Sequence, residues 1–289
     1  MRSKVLFVLM AALTCCAACS ASTEERGDSS AAKSDSVPED TLVTPSARAQ
    51  VADNTPDGVK ALMRAYPDFV SGWDGERILF RDSTTMVYDD GREKTFEQRL
   101  DDCDVQDMFV DVYREPETEP EYLADAGRSR SEALFRKMYG SNASAVQRNL
   151  VSVDWMGQKV RFTRINGAAD SLRKVAAELA RYPELRKYMK SSGTFYWRNV
   201  RGAKRLSAHS YGIAFDIAVP YSDYWKWRNP KAGETTRIKY ANRIPRQIVE
   251  IFRRHGFIWG GAWYHYDTMH FEFRPEILEH AKINNKSEL

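Results

Sequence analysis

Ser207-Ala-His209-Ser-Tyr-Gly212-Ile-Ala214-Phe-Asp216 leads from small polar residues into an apolar run that continues to Val219. Gly212 to Val219 reads as a buried strand entered through a small-residue turn. His209 then stands at the lip of the turn and Asp216 within the strand. A second stretch has the same shape: Gly260-Gly-Ala-Trp263-Tyr-His-Tyr-Asp267-Thr-Met-His270-Phe-Glu-Phe273. His270 opens a short strand, and Asp267 lies three residues earlier, in the turn.

Elsewhere, helices and short strands alternate without βαβ regularity, which predicts an α+β fold with a small antiparallel sheet and flanking helices. Gly58 to Phe69 carries Val59, Leu62, Met63 and Tyr66 at helical spacing. Arg77-Ile-Leu-Phe80 and Met86-Val-Tyr88 read as a hairpin closed by Asp89-Asp90-Gly91. Ser129 and Glu132 form a capping box before a helix that Gly140 ends. Lys159 to Thr163 alternates as a strand. Asp170 is the expected N-cap of a helix with the stripe Leu172, Val175, Ala176 and Leu179. Pro245 starts, and Gly256 closes, a helix bearing Ile248, Ile251 and Phe252.

The chain has 289 residues, of which 43% are hydrophobic and 29% charged, so it is neither disordered throughout nor a polytopic membrane protein. Its net charge of +3 is too balanced to indicate nucleic acid as a partner. Arg2 and Lys4 precede an apolar run from Val5 to Leu13, too short for a permanent span and suited to an export signal. Cys15, Cys16 and Cys19 follow at once. A cysteine after such a run resembles a bacterial lipobox, whose thiol is lipidated; Cys19 is the favoured site, with Cys16 and an ordinary cleaved signal as alternatives. Either way the protein is exported, and the lipid would anchor it to a membrane facing the periplasm or cell wall. Residues 20–55 carry seven acids against three bases and almost no aliphatics, which predicts a disordered tether. The expected organisation is a signal peptide over 1–19, the tether over 20–55, an accessory region over 56–154 and a catalytic domain over 155–289. Cys103 reads as a small buried residue.

All five histidines lie in the last third of the chain. Imidazole and carboxylate are ligands that a borderline cation such as Zn²⁺ accepts, so His209, Asp216 and His270 together offer a His₂Asp site with a position left for water. Asp267 can approach that open position as a general base.

Ser-x-His-x-x-Gly-x-Ala-x-Asp followed by Trp-Tyr-x-x-Asp-x-x-His-Phe-Glu resembles the D-alanyl-D-alanine carboxypeptidase and endolysin zinc peptidases, which cleave bacterial cell-wall peptides and have the Hedgehog/DD-peptidase fold. Phe257-Ile-Trp-Gly-Gly261, Arg274-Pro-Glu276 and Phe195-Tyr-Trp-Arg198 extend the likeness over about 155–278. Ala65-Tyr-Pro-Asp-Phe69 and Tyr88-Asp-Asp-Gly91 resemble the leading part of one branch. The resemblance implies Zn²⁺ held by His209, Asp216 and His270, with Asp267 as general base. It implies an upstream arginine that steadies the oxyanion; Arg198 matches best, with Arg201 and Arg205 close by. The implied substrate is a peptidoglycan stem peptide, cut either as a carboxypeptidase or as an endopeptidase. A non-catalytic wall-binding module on the same fold is the rival reading.

Ser207 can hydrogen-bond a ligand or shape its turn. Trp263 and Tyr264 line the cleft or pack beneath it. His265, next in an extended segment, points away from the face of Tyr264. Tyr224-Trp-Lys-Trp227 offers a stacking surface or core packing. His255 suits a helix C-terminus, and His280 reads as a surface residue.

Overall fold

A computed structural model describes residues 54–286, with helices and small antiparallel sheets in an α+β arrangement. Three sheets order the chain. β1 (Val70–Trp73), β2 (Arg77–Phe80) and β3 (Thr85–Val87) form the first, and β4 (Leu150–Trp155) and β5 (Gln158–Thr163) a separate hairpin. The third sheet contains β6 (Ser191–Gly193), β7 (Ala214–Ile217), β8 (Phe257–Trp259) and β9 (His270–Phe273), in the order β6-β7-β9-β8.

The pairing of β7 with β9 decides what the third sheet can do. Asp216 lies directly opposite His270, and Ala214 opposite Glu272. Directly opposed residues share a face, and neighbours along a strand alternate. One face therefore carries Asp216, His270 and Glu272. The other carries Phe215 and Phe271, which meet Trp155 of β4, Phe162 of β5 and a helical phenylalanine, Phe252; Phe252 and Phe271 stack at 3.9 Å between centroids. An apolar layer on one face thus fixes a polar layer on the other.

The helices are α1 (Asp57–Ala65), α2 (Phe96–Asp101), α3 (Glu132–Tyr139), α4 (Ala143–Gln147), α5 (Ala168–Leu179), α6 (Trp225–Arg228), α7 (Arg246–Arg254) and α8 (Pro275–Lys286). The expected stripes on α5 and α7 are buried. The first and last helices, α1 and α8, pack together. The division expected at 154/155 falls within β4, and residues from both sides of it, including Tyr66, Phe135, Phe162 and Phe215, share one apolar core.

Several local expectations are corrected. The turn between β2 and β3 is Arg81–Thr84, with Ser83 at φ +65°; Asp89-Asp90-Gly91 lies after the hairpin. Ser131, not Ser129, precedes α3, because the Glu132 carboxylate is drawn away to the backbone N–H of Leu206 and to Arg136. Gly167 precedes α5, leaving Asp170 in its first turn, where it pairs with Arg173. His280 is buried against the ring of Phe109 rather than exposed, since α8 turns that face toward the N-terminal part of the chain. Cys103 is half-buried and its thiol donates to the carbonyl of Asp104. Residues 1–53, including Cys19 and nearly all of the expected tether, lie outside the described residues.

Candidate active site

His209 sits in a short 3₁₀ turn, Ala208–Tyr211, that ends at Gly212. Gly212 has φ +66°, and an added Cβ would come within 2.4 Å of Leu150 Cδ2. The positive φ is what favours glycine here, since the Leu150 methyl is the tip of a flexible side chain that can move aside. From there the chain enters β7, and His209 faces the Asp216–His270 pair.

Asp216 bridges the two imidazoles: its Oδ1 is 2.8 Å from His270 Nδ1 and its Oδ2 is 3.1 Å from His209 Nε2. Each ring's far nitrogen has an acceptor of its own. His209 Nδ1 lies 2.9 Å from the carbonyl of Thr194, and His270 Nε2 lies 2.9 Å from Glu272 Oε1. Those outer acceptors favour protons on the outer nitrogens, which turns the inner lone pairs toward one point. The three ligand atoms lie within 4.8 Å of one another. Two imidazole nitrogens and a carboxylate, all inward-facing and largely buried, are the donor set that Zn²⁺ takes, so the residues fit a divalent cation.

Electrostatics agree with that fit. Burial disfavours the Asp216 carboxylate, but His209 and His270 outweigh it and hold its pKa far below the usual range. Burial likewise opposes the charged form of His270, yet hydrogen bonds to Asp216 and Glu272 push it up to about 10. The site is built to retain positive charge between these groups.

These residues open onto a cleft of about 630 Å³. Asp267 lines it too, outside the ligand group, with a buried Oδ1 that lacks a hydrogen-bond partner. Burial first, and then the charge of Asp216, raise its pKa to about 7. Such a carboxylate can accept and return a proton near neutral pH.

Residues 201–273 match the family model of D-alanyl-D-alanine carboxypeptidase. The match contains His209, Asp216, Asp267 and His270, and it supports a peptidase. No curated protein matches the chain.

The remaining expected residues divide. Arg198 lines the cleft and is exposed, and its backbone is tied to the turn bearing His209 through Ser210 Oγ and the N–H of Ser207. Arg201 and Arg205 line the same cleft, but Arg205 is buried and paired with Asp101 of α2. Ser207 is a buried wall residue that precedes the 3₁₀ turn. Trp263 is buried along the cleft, its ring 5.7 Å from that of His270, with Nε1 donating 2.7 Å to Ala126 O. Tyr264 turns away from the cleft, and its hydroxyl accepts from the N–H of Ile238 at 2.7 Å. The alternation expected of this segment is present with the opposite phase, so it is His265 that lines the cleft. Trp225 is buried, whereas Trp227 is 55% exposed at the cleft wall.

Sequence reading did not single out Asp125, Arg128 or Arg130, and it gave no role to Glu272, the glutamate of the second motif. Asp125 accepts from His265 Nδ1 at 2.6 Å and from Arg128 Nη1 at 2.6 Å, and Arg128 also reaches Glu234 at 2.9 Å. Adjacency to Asp267 was a signal for His265. Asp125 stands 140 residues away from it and carried none.

Proposed function

We propose that this chain is a zinc-dependent carboxypeptidase that removes the terminal residue from peptidoglycan stem peptides ending in D-Ala-D-Ala, on the Hedgehog/DD-peptidase fold. The observation that carries the choice of an exopeptidase is the arginine-rich wall of the cleft. Arg128, Arg130 and Arg205 line it together with the His209–Asp216–His270 group. The Nε atoms of Arg130 and Arg205 are buried without hydrogen-bond partners. Burial lowers the proton affinity of both guanidiniums, and Arg128 adds to this by repulsion, while Glu272 and Asp101 respectively oppose it. Each of the three already has a carboxylate partner, Arg128 in Asp125 and Glu234, Arg130 in Glu272 and Arg205 in Asp101, yet three cations crowd one wall of the cleft, and a substrate's free carboxylate would meet positive charge there.

His209, Asp216 and His270 would hold the ion. When bound, a zinc ion supplies a Lewis acid that polarises the scissile carbonyl and makes water more acidic. Asp267 takes the proton of the attacking water and delivers it to the leaving amine, so that a C–O bond forms as the C–N bond breaks. Arg198 offers a fixed positive charge to the oxygen that gains negative charge. Trp263 and Trp227 border the space for the peptide.

The test is digestion of a stem-type peptide ending in D-Ala-D-Ala and of its C-terminal amide, with and without chelator, followed by mass spectrometry. Loss of one alanine from the free acid alone, abolished by chelator, is the expected result. Equal cleavage of the amide would refute the role of the arginine wall, cuts within the stem would indicate an endopeptidase, and one equivalent of bound metal without turnover would indicate a binding module. The reading includes export and a lipid anchor at Cys19, tested by fatty-acid labelling that Cys19→Ser abolishes.

A further inference from the structure

Behind His270 lies a chain of buried charges, Glu272, Arg130, Arg274 and Glu276, of which Arg130 and Glu272 also border the cleft. His270 Nε2 meets Glu272 Oε1 at 2.9 Å, and Arg130 Nη1 meets the same oxygen at 3.1 Å. Arg274 Nη1 takes the other oxygen, Oε2, at 3.1 Å, and its Nε is committed to Glu276, which in turn accepts from the hydroxyl of Tyr66, the residue that follows α1. Both guanidiniums also donate to the carbonyl of Gly127, at 2.9 Å from Arg274 and 3.3 Å from Arg130. Glu272, Arg274, Glu276 and Tyr66 are each at most 1% exposed, and Arg130 is 8% exposed.

A fully buried carboxylate needs partners on both oxygens. Arg274 is held from two other directions and secures Oε2. Arg130 shares Oε1 with the imidazole, so it sets where that oxygen sits and how much of its charge faces the ring. A ligating histidine is oriented through the acceptor at its second nitrogen, and loss of that acceptor weakens metal binding. Arg130 precedes α3 and lies outside the segment 201–273 that matches the family model.

We propose that Glu272 and Arg130 are positioning residues for the metal site. Glu272 fixes the ring orientation and tautomer of His270, presenting Nδ1 to the cation, and Arg130 holds Glu272 in place for that task. The N-terminal region thereby contributes to metal affinity. This rests on the reading of His270 as a ligand.

The test is competitive titration of the metal-free full chain with Zn²⁺ against a chromogenic chelator, for wild type, Glu272→Gln, Arg130→Met, Arg130→Lys and His270→Ala. Glu272→Gln is expected to weaken Zn²⁺ about 10–100-fold. Arg130→Met should weaken it in the same direction, with partial recovery in Arg130→Lys. Wild-type affinity in both Glu272→Gln and Arg130→Met, with affinity lost in His270→Ala, would overturn the proposal alone. Wild-type affinity in His270→Ala would overturn the parent reading. A second measurement avoids variants that fail to fold: ¹H–¹⁵N two-bond correlations of the zinc-loaded wild type. A metal-bound Nδ1 with the proton on Nε2 is expected for His270, and the reverse would overturn the proposal.

Discussion

Replacing Asp125 with asparagine should remove a large and pH-dependent part of the protein's stability. Asp125 Oδ1 accepts from the backbone N–H of His265 at 3.0 Å, and Oδ2 accepts from His265 Nδ1 and Arg128 Nη1, each at 2.6 Å. Burial works against its ionisation, but Arg128 and His265 outweigh it and hold the pKa at about 2. An unfolded aspartate titrates near 3.9, and the gap corresponds to about 2.6 kcal/mol of stability at neutral pH. Because the folded pKa is the lower one, this contribution is present above about pH 4–5 and fades as pH falls through about 2; about 1.2 kcal/mol of it is gone by pH 3. An amide in place of the carboxylate also sets a donor against Arg128 or His265, so a total loss of about 3–5 kcal/mol is expected at pH 7. Urea unfolding of wild type and Asp125→Asn at pH 7, 4 and 3 measures this. The difference between the two proteins should narrow by about 1 kcal/mol between pH 7 and pH 3. A difference that stays constant over that range would refute the ionised, doubly partnered state assigned to Asp125.

Asp267→Asn should retain one equivalent of zinc by elemental analysis while kcat falls about 10²–10⁴-fold; loss of metal would make Asp267 a ligand. Gly212→Ala places a side chain at φ +66°, and thermal unfolding should show about 1–2 kcal/mol of destabilisation together with weaker metal binding. Trp227→Ala, at a 55% exposed position on the cleft wall, should leave Tm unchanged and raise KM for a stem peptide.

Legibility in the sequence followed the range of the interactions. Glycine, histidine and aspartate at fixed short spacings marked both halves of the metal group, because each half is a turn feeding a strand and its residues are placed by local backbone geometry. The stripes on α5 and α7 were readable for the same reason. The N-cap of α3 was not, because Glu132 serves Leu206, 74 residues away, in preference to its own helix end. The phase of Tyr264 and His265 was likewise set from a distance: Asp125 draws the imidazole inward, and Ile238 draws the phenol outward. The arginine-lined wall of the cleft was the least visible. It draws on Arg128 and Arg130 from one part of the chain and Arg205 from another, and nothing in their local spacing announces a shared cavity.

The opposition of Asp216 and His270 across two paired strands has a consequence for assembly. Side-chain direction reverses at every residue, so sliding one strand past the other by a single step would bury a histidine and a glutamate among phenylalanines and expose two rings to the cleft. A mispaired chain could not gather the three donors. Metal uptake in a refolding experiment therefore reads strand alignment directly, and a chain that captures the ion stoichiometrically has already aligned its sheet correctly.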